Sequence, residues 1–231
     1  ELLFKQALKI REKALGPDHP ETAISLNNMA LLYSSQNKND DAEALYKQAL
    51  KIYEKAFGTD HPDIATSLDN LGLLYFSQAR YTEAEPMYKQ ALKIREKALG
   101  AGHPDTATSL NNLAFLYYTQ GKYAEAEPLN KHALEIYETT LGSEHPETAT
   151  SINNLALLYN SLGRYAEAEP LYKRALKIYE KTLGPDHPDT ATAINNLALL
   201  YDSQGKYDEA ETLYKKALQI TEKALGPDHR D

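Results

Sequence analysis

The dipeptide His-Pro stands at 19–20, 61–62, 103–104, 145–146 and 187–188, and glycine stands at 16, 58, 100, 142, 184 and 226. Both series advance by 42 residues. A fixed period of this size restricts the fold to stacked copies of one supersecondary unit. The 231 residues divide into a half-repeat 1–16, five repeats (17–58, 59–100, 101–142, 143–184, 185–226) and a stub 227–231 carrying His229-Arg230 in place of His-Pro. Repeats four and five are identical at 29 of 42 positions. A single array over 1–231 is therefore expected, not two unrelated globular domains.

Each repeat reads as two helices. In the fourth, Pro146-Glu147-Thr148 opens the first helix, since proline suits the first helical position and an acid favours the dipole there. Ile152, Leu155, Ala156 and Tyr159 recur at helical spacing. Gly163-Arg164-Tyr165 is the turn. Ala168, Leu171, Tyr172, Ala175, Leu176, Ile178 and Tyr179 form the apolar face of the second helix, which Gly184 ends as a left-handed residue. Pro170 is expected in that helix's first turn, where a missing N–H costs little. Two helices cannot bury an apolar face alone, so neighbouring repeats must stack. Small residues mark the close approaches: Ala30, Gly72, Ala114, Ala156 and Ala198 in first helices, Ala42, Ala84, Ala126, Ala168 and Ala210 in second helices. Leu71, Leu113, Leu155 and Leu197 fill in beside them, with Tyr75, Tyr117, Tyr159 and Tyr201.

The run Ile152-Asn153-Asn154-Leu155-Ala156-x-x-Tyr159, then Gly163-x-Tyr165-x-x-Ala168, then Tyr172-x-x-Ala175-Leu176, resembles the tetratricopeptide repeat (TPR). The 42-residue form with Leu-Gly-x-x-His-Pro-x-x-Ala is similar to the repeats of kinesin light chains and bacterial kinesin light chain-like proteins. The resemblance implies an all-α fold, a TPR α-solenoid in which antiparallel helix pairs form a right-handed superhelix. It implies a concave groove lined by the first helices, in which kinesin light chains take cargo-adaptor peptides, including acidic ones containing tryptophan. The departures are local: Asn37 and Ala79 replace the turn glycine, Asp69 the first residue of the Asn-Asn pair, Asn130 the second-helix tyrosine, and Ala101-Gly102 the Pro-Asp.

Composition removes several chemistries. The chain has no Cys, so no disulfide, thiolate nucleophile or thiolate metal site exists. A net charge of −8 disfavours nucleic acid and anionic membranes as partners. No apolar run approaches the ~18–20 residues of a membrane span. Histidines one repeat apart stand about 10 Å from each other, the spacing of packed helices, too far to share a metal. They read as local hydrogen-bonding groups beside proline, and His132 as a surface residue. The recurring Ser35, Ser77, Ser161 and Ser203 have no base placed opposite them, and no glycine belongs to a phosphate loop. Glu83-x-Glu85, Glu125-x-Glu127 and Glu167-x-Glu169 diverge on a helix and read as dipole-stabilising acids. Lys47, Lys51 and Lys55 form a solvated stripe. No catalysis, cofactor or metal is expected.

The paired amides are the informative feature: Asn27-Asn28, Asp69-Asn70, Asn111-Asn112, Asn153-Asn154 and Asn195-Asn196. Asparagine is a mediocre helix former, so two in every first helix need a reason. An amide both donates and accepts, which suits it to hold a peptide backbone of any sequence. At least one of each pair is expected to line the groove, while the other can bridge adjacent repeats. One turn on, Leu31, Leu73, Phe115, Leu157 and Leu199 should present an apolar strip. Ser34, Phe76, Tyr118, Asn160 and Asp202 follow and vary between repeats; Phe76, Phe115 and Tyr118 are the expected aromatic anchor pocket. These positions hold no Lys or Arg, while Asp69 and Asp202 are acidic, so a neutral or basic peptide is expected.

The expected function is a non-catalytic protein–protein interaction module in the cytoplasm, binding a peptide segment. A sensor or scaffold arm of a larger multidomain protein is the alternative. Glu1–Gly16 matches Glu43–Gly58, a second helix. End-to-end self-association through uncapped repeats is therefore expected as well.

Overall fold

Every helix boundary follows the repeat. The computed structural model describes residues 1–225, which leaves Gly226 and the His229-Arg230 stub outside the described residues. Among the described residues the regular elements are α1 (Leu2–Leu15), α2 (Pro20–Ser35), α3 (Asn39–Phe57), α4 (Pro62–Ser77), α5 (Tyr81–Leu99), α6 (Pro104–Thr119), α7 (Tyr123–Thr140), α8 (Pro146–Ser161), α9 (Tyr165–Thr182), α10 (Pro188–Ser203) and α11 (Tyr207–Leu225). All are α-helical. First helices begin at Pro20, Pro62, Pro104, Pro146 and Pro188, one period apart.

The His-Pro pair is the device that starts them. In each, the histidine precedes the helix with its ring Nδ1 accepting a hydrogen bond from the backbone N–H two residues on. The distances are 3.2 Å at His19, 3.3 Å at His61, 3.1 Å at His103 and 3.2 Å at His145 and His187. One orphan N–H is thereby satisfied, and proline occupies the next position, where no N–H is needed. Thr22, Thr106, Thr148 and Thr190 then donate their hydroxyls to the carbonyls of Gly16, Gly100, Gly142 and Gly184 at 2.8–2.9 Å, stitching one repeat's end to the next repeat's start. Gly100 shows why glycine is needed there: at φ 95° and ψ 156° a side chain would be strained. Pro86, Pro128 and Pro170 correct the sequence expectation. Each is the sixth residue of its helix, beyond the first turn, so one intrahelical bond is given up.

The chain forms two compact units, Glu1–Leu116 and Tyr117 onward. In the first, α1 packs on α2, α2 on α3, α3 on α4, and α4 on α5, with α2 also touching α4. In the second, α7 packs on α8, α8 on α9, α9 on α10, and α10 on α11, with α8 touching α10. The small residues carry the close approaches: Ala23, Ala30, Ala42 and Ala49 in the first unit and Ala156, Ala168 and Ala175 in the second are wholly buried. At Gly72 a Cβ would stand 2.8 Å from the Tyr88 ring. Tyr46 and Tyr172 are among the largest fully buried side chains.

Ionic rungs tie the end of a second helix to the loop that opens the same repeat. Lys55 pairs with Asp18 and Lys97 with Asp60 in the first unit; Lys181 pairs with Glu144 and Lys223 with Asp186 in the second. These are exposed and individually weak. A second set is less exposed. Arg80 bonds Glu43 at 2.8 Å and Glu83 at 2.6 Å, and lies 4.3 Å above the Tyr75 ring. Arg164 repeats this with Glu127, Glu167 and Tyr159. Burial acts against the Glu43 charge. The hydrogen bonds from Lys47, Arg80 and Tyr75 outweigh it and hold the carboxyl down at about 2.

Candidate functional site

The outward face of every first helix carries the same sequence of side chains. On α4 the exposed or half-exposed stripe runs Asp63, Thr66, Asn70, Leu73 and Phe76–Ser77, the spacing of one helix face. The same stripe on α2 is Glu21, Ile24, Asn28, Leu31 and Ser34–Ser35, and on α10 Asp189, Thr192, Asn196, Leu199 and Asp202–Ser203. On α8 it is Glu147, Thr150, Asn154, Leu157 and Asn160–Ser161. Sequence reasoning found the amide and the apolar residue. It missed the threonine or isoleucine one turn earlier and the acid two turns earlier, which stand four and seven residues before the second amide of each pair.

The two amides of a pair do different work. Successive residues point about 100° apart on a helix, so they cannot share one face. The second of each, Asn28, Asn70, Asn112, Asn154 and Asn196, belongs to the outward stripe, exposed at Asn28 and half-buried in the others. The first turns toward the seam with the next repeat. Asn27 is buried, and its Nδ2 donates to Ser67 of α4 at 2.7 Å. Asp69 is buried against Arg95. In the second unit the Nδ2 of Asn196 donates to the Oδ1 of Asn153 at 3.1 Å, joining the first amide of one repeat to the second of the next. Asp69 with Asn112 repeats that register in the first unit. Asn27 and Asp69 are thus buried at the seam, where the following first helix packs over them. Asn111 and Asn153 are half-buried, and Asn195 is exposed.

Asp69 and Arg95 form the one buried ion pair of charged side chains among the described residues, with the Arg95 guanidinium also bonded to Ser109 and 3.4 Å from Thr66 Oγ1. Burial pushes the Asp69 carboxyl up, and Arg95 opposes that shift. The Asp69 charge is thus neutralised inside the seam and is not offered to a ligand. The acidic character of the outward face comes instead from Glu21, Asp63 and Asp105 in the first unit and Glu147 and Asp189 in the second, all exposed.

The apolar strip is present. Leu73 is 54% exposed and Phe115 44%, with Leu31 and Leu199 similar and Leu157 half-buried. Phe76 packs on Phe115 with ring centroids 5.3 Å apart and on Tyr81 at 5.5 Å. Tyr118 lies in the second unit, where its ring meets Tyr123 at 5.7 Å and its hydroxyl stands 2.9 Å from Ser161 Oγ. Between α2 and α4 lies a cavity of about 270 Å³ lined by Ile24, Asn27, Leu31, Tyr53, Asp63 and Thr66 among others.

Ser35, Ser77 and Ser203 donate to main-chain carbonyls within their own helices. Among the described residues no three His, Asp or Glu groups converge on a metal position. No described helix is long and apolar enough to cross a membrane.

The tetratricopeptide repeat family matches the chain at 3–55, 39–97, 63–139, 105–181 and 147–223, five overlapping spans that between them take in nearly all of it. The chain belongs to the tetratricopeptide repeat family. Solved structures agree. BtubC (BKLC) from P. vanneervenii superposes with a TM-score of 0.78 at 25% identity, over 99% of this chain and 90% of that one. A Podosopora anserina protein described as a kinesin light chain with nearly identical TPR-like repeats gives 0.74 at 30% identity, over 89% and 97%. The apo form of RapI, at 18% identity and a TM-score of 0.72, shares the fold alone. No curated protein matches the chain in sequence. The family's architecture is that of a protein–protein interaction scaffold. The kinesin light chain-like repeats are this chain's structural neighbours.

Proposed function

We propose that the chain is a peptide-binding module whose ligand lies along the outward stripes of the first helices. The observation that carries this is the coincidence, on every first helix, of a second-position amide with a Leu or Phe one turn on that is exposed or, at Leu157, half-buried. The amides would hold peptide main chain, and the apolar strip would take side-chain anchors. The Phe76–Phe115 pair is the anchor in the first unit. Exposed carboxylates flank the strip on the same face, so a neutral or basic segment fits better than an acidic one. A cytoplasmic setting is part of this reading.

A peptide array of varied charge tests it. Enrichment of apolar peptides with neutral or basic flanks is expected; selection of acidic peptides would overturn the charge argument, and no selection would overturn the groove.

We also propose that the exposed apolar faces of α1 and α11 associate between copies of this chain. Phe4 and Ile10 of α1 are exposed, although their counterparts Tyr46 and Ile52 are buried under a first helix, and Leu218 is exposed on α11. Light scattering across concentration should show a rising mass; a constant monomer would contradict it.

A further inference from the structure

The cavity between α2 and α4 has a counterpart one repeat later, and the two are furnished differently. The counterpart, between α4 and α6, is filled by the chain itself. Arg95 reaches into it from α5, 6% exposed, and its guanidinium bonds the Asp69 carboxylate and the Ser109 hydroxyl beside Thr66. Forty-two residues earlier the same positions hold Tyr53 for Arg95, Asn27 for Asp69, Ser67 for Ser109 and Ile24 for Thr66. Among the described residues no guanidinium is bonded to Asn27 in this earlier seam, although Arg11 acts electrostatically on the Tyr53 phenol.

What remains there is a mixed set of polar groups: the side-chain amides of Asn27, Asn28 and Asn70, the Asp63 carboxylate and the Thr66 hydroxyl. Asn27 is 9% exposed, and its Nδ2 is committed to Ser67. Its Oδ1 is buried and accepts no hydrogen bond from the protein. A buried amide oxygen in that state is costly unless a donor reaches it. The Asp63 carboxylate and the Thr66 hydroxyl line the same cavity. In the second unit the phenol at the Tyr53 position, Tyr179, stands 2.8 Å from the hydroxyl of Thr150. Ile24 takes that threonine's place in the first unit, where the Tyr53 phenol interacts with the Asn27 side chain instead. Ile24 and Leu31 supply apolar wall.

We infer that this cavity is a subsite for an arginine side chain of the bound peptide. The guanidinium would donate to Asn27 Oδ1 and to Asp63, taking the place that Arg95 occupies in the next seam, with its stem along Ile24 and Leu31. A guanidinium supplies five donors in a fixed fork and accepts none, which suits the Asn27 Oδ1 and the Asp63 carboxylate as acceptors. Lysine is a poorer match, because a single ammonium point cannot span separated acceptors as the fork does. The subsite rests on the peptide-binding reading and gives it a residue preference.

The test is a nuclear magnetic resonance titration of the full chain with Nα-acetyl-arginine amide and, in parallel, with its citrulline analogue, which has nearly the same shape and no charge. The expected result is shifts centred on the Asn27 side-chain amide and Thr66, with citrulline weaker by about tenfold or more, as loss of a charge-assisted contact implies. The double variant Asn27→Asp/Tyr53→Arg installs the pair found at Asp69 and Arg95 and should abolish the shift at Thr66, the probe that it retains. Equal shifts from citrulline, shifts spread over other exposed acids, or no shifts at all would overturn the subsite. The citrulline comparison needs only the wild-type chain, so it decides the matter even if the variant does not fold. A peptide array that selects apolar peptides without arginine would overturn this subsite and leave the groove standing. An array that selects nothing while Asn27 shifts with arginine would do the reverse.

Discussion

The Arg95 guanidinium bonds the Asp69 carboxylate 26 residues before it, inside the seam between α4 and α6. At the same spacing the other repeats pair Asn27 with Tyr53, Asn111 with Tyr137, Asn153 with Tyr179 and Asn195 with Thr221. The acid occurs only where the base does. The substitution is thus a matched pair, since a lone buried charge costs several kcal/mol.

Asp69→Asn should destabilise the fold by about 3 kcal/mol, because it leaves Arg95 buried without a counter-charge. Asp69→Asn combined with Arg95→Tyr recreates the Asn27/Tyr53 pair and should recover to within about 1 kcal/mol of the parent. Urea denaturation of the three proteins measures both; equal losses in the single and double variants would contradict the pairing.

Ala79 ends α4 in the left-handed region at φ 57°, where the other turns use glycine at Gly121, Gly163 and Gly205 or, at Asn37, asparagine. A Cβ there costs about 1–2 kcal/mol, part of which glycine returns through its freer unfolded chain. Ala79→Gly should stabilise the chain by about 0.5–1 kcal/mol and raise the thermal midpoint. A lower midpoint would show that the turn is not strained.

Glu43 carries a carboxyl depressed to about 2. A group lowered on folding adds stability that is complete above its unfolded value of about 4.3 and is lost as pH falls through the folded one. Stability should therefore fall between pH 4.5 and 2, and Glu43→Gln should flatten part of that slope while costing stability at pH 7. Denaturation midpoints across this range test it; an unchanged slope would remove Glu43 from the acid response.

The repeat, its length and its helix pairs are all legible in the sequence, because punctuation at His-Pro and glycine is local chemistry. The histidine's role as a capping acceptor depends on ring orientation, which spacing alone does not give. The amide pairs were half legible. Their presence signals a function beyond helix propensity, but adjacent residues face different ways, and which of the two meets the seam depends on where the next helix lies. Asp69 is visible as a departure from Asn. Its reason stands in another helix, at a residue that looks like ordinary surface arginine until the seam closes over it. The acids at Glu21 and Asp63 read as dipole partners, and only their place on the outward stripe brings them into the proposed site.

The central proposal is that the outward stripe, with the α2–α4 cavity beside it, takes the peptide. It is tested most directly by measuring the affinity of an array-selected peptide for the chain and for Asn70→Ala/Leu73→Ala, alongside the thermal stability of both. The predicted result is a loss of affinity of tenfold or more with a midpoint shift of no more than a few degrees, since Asn70 is half-buried and Leu73 exposed. Undiminished binding by a variant that stays folded would contradict the claim.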